Sequence, residues 1–171
     1  MFDRGAAVRH AEESARAFVG DLFSIPLDLD ALCAARGITV LRKELNDELS
    51  GMALIEGEQR FVIVNSKHHQ NRQRFTIAHE VAHHVIHEAY LRTNIHVDKA
   101  VLRRDGLAAE GVEIKEIEAN AFAAELLMPR KFMGSFANLD LSDDRAIRIV
   151  AKEFGVSQAA FTYRLMNLGL V

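Results

Sequence analysis

One cysteine in 171 residues, Cys33, has no partner within the chain. That excludes an internal disulfide and any cysteine-built zinc cage, and makes a reducing compartment the simplest setting. Cys33 lies in the apolar helical stretch ALCAAR, where a thiol reads as small core filler rather than a nucleophile. No apolar run reaches the roughly 18 residues a membrane-spanning helix needs. The opening MFDRGAAVRHAEES has acidic groups and no apolar segment leading to a cleavage site, so the expected location is the cytoplasm. Repeats, low-complexity tracts and Pro/Gly/Ser linkers are missing too, and the length suits one domain that buries its own core. A large excess of charge is also lacking. The formal net charge of -3 gives no general attraction to phosphate backbones, and direct nucleic-acid binding is not expected.

What is present alternates between helical and extended patterning, which reads as an α+β fold. Apolar residues at helical spacing over 6–22 mark a first amphipathic helix. Asp28 is placed to cap a short helix through Arg36, Gly37 to end it in a left-handed conformation, and ITVLRK to follow as a strand. GMALIE and RFVIVN, separated by a turn at Gly57, complete a small sheet of about three strands or slightly more. Residues 71–90 are helical by period, with Phe75, Ala78, Ala82, Val85 and Ile86 as the expected core-facing stripe. Periodicity fades over 91–112, which reads as a long irregular connection and a candidate lid. It returns at Ile114 and holds until Pro129. Two short helices close the chain, with Ser142 and Ser157 as expected caps and a break at Gly155.

Chemistry is concentrated in FTIAHEVAHHVIHE, 75–88. Residues four apart share one helix face, so His79 and His83 project side by side and can close on one cation. This is the HExxH arrangement. Zinc accepts imidazole nitrogen readily, and a catalytic site wants three protein ligands with a fourth position left to water. Glu80, about 100° around the helix from His79, is placed to hold and deprotonate that water as general base. A metal there lowers the water's pKa to roughly 7 and polarises a scissile carbonyl, which is the chemistry of peptide hydrolysis. His84 lies off the ligand face and reads as a surface or partly packed histidine. His87 stands one turn beyond His83, either supporting the ligands or complementing the helix C-terminus. His10, His68, His69 and His96 show no ligand spacing.

A third ligand must come from another element. In IKEIEANAFAAELLMP the candidates are Glu116 and Glu118, which point in different directions. Glu116 is favoured, because Asn120 shares its face and can orient a zinc-bound imidazole. RFVIVN is expected at the edge of the cleft with Val64 facing outward, where an extended substrate would add as a further strand.

RFTIAHEVAHHVIH, followed by ExEANxFAAxLLMP, resembles the ImmA/IrrE family of bacterial and phage metallopeptidases. The likeness runs from about Ile25 through SGMALIE and RFVIVNS to AKEFGVSQAAFTYRLMNLGL, leaving only the first helix unmatched. The resemblance implies a gluzincin-like zinc endopeptidase, with His79, His83 and Glu116 on Zn2+ or another divalent metal and Glu80 as the catalytic base. It further implies a protein substrate, a helix-turn-helix repressor whose cleavage switches on stress or mobile-element genes. On this reading 1–171 is a single metallopeptidase domain, with a catalytic core at 25–136 and a helical segment at 142–171 packed on it. The chain departs from the family at Ala82, where members often have glycine, and at His84, where they often have an apolar residue.

The closing segment also resembles a helix-turn-helix, with Gly155 in the turn. Its second helix offers only Gln158, Thr162, Tyr163 and Arg164 as polar groups, a thin footprint for phosphate contacts. Packing of Ile147, Val150, Phe154, Phe161 and Leu165 on the core is preferred. Two rivals remain beside the peptidase. One is a non-catalytic repressor- or DNA-binding module with a silent or structural metal site. The other is a different HExxH hydrolase, weakened because a deformylase-like site needs a cysteine ligand in a loop and a nucleoside deaminase needs PCxxC.

Overall fold

The computed structural model describes residues 3–99 and 110–171. Helix α1, Arg4–Val19, starts where the Asp3 carboxylate accepts from the Ala6 N–H at 3.1 Å. Its buried Ala7, Ala11 and Ala15 recur every four residues, and this stripe of small side chains packs α1 closely on the later helix α5, Glu110–Leu127. Helix α2, Leu29–Ala35, is capped by Asp28 and followed by Gly37 at φ 71°, as the residue types predict. Cys33 is fully buried there, and burial pushes its thiol up to about 12.

Strands β1, Ile38–Lys43, β2, Leu49–Glu56, β3, Gln59–Asn65, and β4, His96–Lys99, form one mixed sheet in the order β1-β3-β2-β4. β1 runs parallel to β3, and β2 is antiparallel to both β3 and β4. With helices on the sheet, the fold is α+β, as expected. Two expectations for the sheet fail. RFVIVN is an interior strand, paired on both sides, and Val64 is buried rather than outward. The edge belongs to β4, which lies within the stretch read as irregular. Four residues are too few for a strand period to register in sequence, and pairing with β2 is what holds them extended. Of the candidate lid, residues 110–112 begin α5 instead, and 100–109 fall outside the described residues.

Helix α3, Gln70–Ile86, lies across β2 and β3 and breaks at His87 before the single turn α4, Glu88–Leu91. Past Pro129 come α6, Arg130–Met133, then α7, Asp144–Phe154, and α8, Gln158–Asn167. The cap of α7 is Asp143, not Ser142: its carboxylate takes the Arg145 and Ala146 N–H groups, while the Ser142 hydroxyl donates to Asp140. Gly155 turns the chain at φ 66° and Ser157 caps α8, as predicted. Ile147, Phe154, Phe161 and Leu165 are buried. The turn between α7 and α8 is clamped to α3, where Arg74 donates to the Gly155 carbonyl at 3.0 Å and Asn71 to that of Val156 at 3.0 Å. Arg164 does not face solvent as a recognition helix would require. It points inward to Glu12 at 2.9 Å, to Glu125, and to the Met128 carbonyl at 3.1 Å.

Candidate metal centre

The central turns of α3 are buried on every side, from Thr76 to His84, between the sheet and α5. Burial makes each polar side chain there answerable to a partner. Gly51 permits the close fit with β2: a Cβ on it would lie 2.6 Å from the Thr76 methyl, 2.8 Å from the Ile63 carbonyl oxygen and 3.6 Å from Glu80 Cγ. A glycine inside a strand marks such a close approach.

Helix periodicity brings His79 and His83 together, with their Nε2 atoms 3.3 Å apart. Glu116 arrives from α5, 3.3 Å from His79 Nε2 through one oxygen and 3.7 Å from His83 Nε2 through the other. Four ligand atoms on a zinc ion at roughly 2.0–2.1 Å are spaced about 3.3 Å from one another, so these separations match what a shared cation requires. The outer nitrogens are fixed as well. His79 Nδ1 donates to Asn120 Oδ1 at 3.2 Å, one helical turn beyond Glu116 as expected. His83 Nδ1 meets His87 Nδ1 at 3.0 Å, and His87 Nε2 donates to Glu118 at 2.9 Å. Glu118 thus supports the site through His87 and stands outside the converging group, so both acidic candidates of α5 have places.

His84 is the residue misplaced by sequence reasoning. It is fully buried, donating from Nε2 to the Phe61 carbonyl of β3 at 2.9 Å. The off-ligand face of α3 meets the sheet there rather than water. His96 was missed altogether. From β4 it joins His79, His83 and Glu116 in a group whose ligand atoms all lie within 4.8 Å of one another. Its Nδ1 is 2.9 Å from Glu80 Oε2, its Nε2 is 3.0 Å from Glu116 Oε1, and its ring stacks on His83 at 3.7 Å between centroids. No spacing along the chain signals this, because strand pairing of His96 opposite Ala53 brings it in.

The pocket's carboxylates and imidazoles set one another's charge. Burial lifts the Glu80 carboxyl above its usual range, and its second oxygen is buried with no hydrogen-bond partner. Burial opposes ionisation of Glu116, but hydrogen bonds from His79 and His96 outweigh it and hold that carboxyl low. His96, despite burial, is raised to about 10 by its bonds to Glu116 and Glu80. His83 is driven well down by burial and then by the neighbouring His96 and His79, which keeps it neutral, the form that binds a metal. A group of three imidazoles and a carboxylate could hold zinc or a similar divalent ion, and Glu80 reaches it through the bond between its Oε2 and His96.

Among the described residues no helix is long and apolar enough to cross a membrane. A solved Mycobacterium tuberculosis transcriptional regulator shares the fold with a TM-score of 0.58 at 21% identity, covering 94% of this chain and 46% of that one. The "Uncharacterized immunity region protein 2" of Bacillus phage phi105 is 26% identical over 111 residues, 64% of this chain and 65% of the relative. The chain therefore spans just under two thirds of the phage protein and under half of the regulator. The family described as Peptidase_M78, IrrE N-terminal-like domain, matches residues 33–166, which hold the whole histidine and glutamate cluster. On that match, across most of its length, the chain belongs to the IrrE N-terminal-like peptidase family M78.

Proposed function

We propose that this protein is a zinc-dependent endopeptidase, with His79, His83 and Glu116 holding the metal and Glu80 acting as general base. The observation that carries the reading is the convergence of those three side chains at 3.3–3.7 Å, with the buried carboxylate of Glu80 on the same helix as the two histidines. A bound zinc would supply Lewis acidity toward a carbonyl and lower the pKa of water. Glu80 then takes the proton of the attacking water and returns it to the leaving amine, and its raised pKa brings it nearer neutrality, where a carboxyl serves both as base and acid. Asn120, and His87 with Glu118, keep the imidazoles oriented.

The substrate proposed is a protein, in particular a helix-turn-helix repressor whose cleavage releases stress or mobile-element genes. The resemblance to a phage immunity-region protein supports this choice. The chain acts as one catalytic unit in the cytoplasm, with α7 and α8 as support; the inward Arg164 counts against operator binding by α8. Elemental analysis of the purified chain tests the reading, with about one zinc expected per molecule. Glu116→Ala should lose the metal, Glu118→Ala should keep it, and Glu80→Gln should keep it while losing cleavage of the repressor. A wild-type chain that takes up no metal when zinc is supplied would overturn the proposal.

A further inference from the structure

We infer that His96 is a built-in plug: in this conformation its ring stands where the attacking water and the substrate carbonyl must go, and β4 must carry it away before the site can work. The inference rests on the metal reading above. A hydrolytic metal site keeps one position open, and a water there has to lie within hydrogen-bond reach of the base and about 3.3 Å from the neighbouring ligand atoms. The imidazole of His96 makes both contacts itself, with Nδ1 at 2.9 Å from Glu80 Oε2 and Nε2 at 3.0 Å from Glu116 Oε1. One ring spans the gap between the base and the carboxylate ligand and lies flat against the ring of His83.

Burial agrees. The side chains of Glu80 and His83 are wholly buried and that of His79 is 3% exposed, while His96 is 13% and Glu116 33% exposed. The base and the two histidine ligands are thus sealed, while His96 and Glu116 lie at the mouth. One Glu80 oxygen is held by His96, and the other, buried, has no partner.

The carrier of the plug is suited to leave. β4 is four residues long and sits at the edge of the sheet beside β2, where a bulge interrupts the register between Leu49 and Gly51. Ile95, at 59% exposure, and Val97, at 37%, lie in solvent rather than anchoring it. A short edge strand with few buried apolar contacts belongs to the least stable part of a fold. Displacing β4 frees Glu80 and the open position in one movement.

Cobalt substituted into the full chain gives a visible spectrum that reports on its ligands, and acetohydroxamate serves as a probe of access. Wild type and His96→Ala should each bind about one cobalt per chain. If the site is closed in about nine molecules of ten, removing the plug should let hydroxamate perturb the spectrum at about ten-fold lower concentration. His96→Gln, which keeps a polar group on the strand, should shift in the same direction and stands in if His96→Ala fails to fold. Equal hydroxamate affinity in wild type and variants, with cobalt bound in each, would overturn the plug and leave the metal reading intact. A wild type that binds no cobalt would overturn the metal reading and the plug with it.

Discussion

At the scale of single residues the site is organised by which nitrogen of each imidazole is already engaged. His79 and His83 give their Nδ1 atoms to Asn120 and His87, which leaves both Nε2 atoms for a cation. His87→Ala should therefore leave the metal stoichiometry unchanged but weaken affinity about 10- to 100-fold, measured by competition with a chelator. Cys33 takes no part in this chemistry but bears on stability. The thiol is held at about 12 in the fold, whereas an unfolded thiol ionises near 8.5. Above about pH 8.5 the unfolded chain releases a proton that the native chain keeps, so stability falls as pH rises through that range. Denaturant titrations between pH 8 and 10 should show a shallower fall in Cys33→Ala, and a thiol reagent should label the native wild type only on unfolding.

Between elements, the decisive contacts are ionic and buried. Arg164 on α8 reaches Glu12 on α1 and Glu125 on α5, and Arg16 of α1 also meets Glu125 at 3.0 Å. Removing the guanidinium would leave two almost fully buried carboxylates with only the more exposed Arg16 and Arg130 as partners. Arg164→Ala should cost about 3–5 kcal/mol in urea unfolding, well beyond what an exposed recognition-helix arginine would. The same contact explains why the closing helix pair carries a helix-turn-helix pattern without its surface: a pattern of glycine, cap and apolar positions specifies the angle between two helices but not which face is left to solvent. Arg164 is polar by type and interior by partner.

For the whole molecule, the proposed metal ligands come from α3 and α5, so a cation held there would cross-link segments distant in sequence. A ligand bound only by the native state stabilises by about 2.7 kcal/mol at 100 times its Kd. For a chain of 171 residues this corresponds to a rise of about 5–10 °C in Tm on adding zinc, reversed by a chelator and absent in Glu116→Ala.

Local patterns were enough for much of this protein. The spacing of His79, Glu80 and His83 on one periodic helix, the glycine and aspartate caps of α2, the hairpin at Gly57 and the shared face of Glu116 and Asn120 are consequences of helix pitch and turn chemistry, which act over a few residues. Contacts distant in sequence were not legible there. Strand order made RFVIVN interior and Val64 buried; pairing with β2 turned 96–99 into an edge strand; packing on the sheet buried His84, and a three-element ion cluster buried Arg164. His96 shows the division most plainly. Its chemistry is written in its residue type, but its place beside Glu80 comes from strand pairing opposite Ala53, which no local spacing encodes.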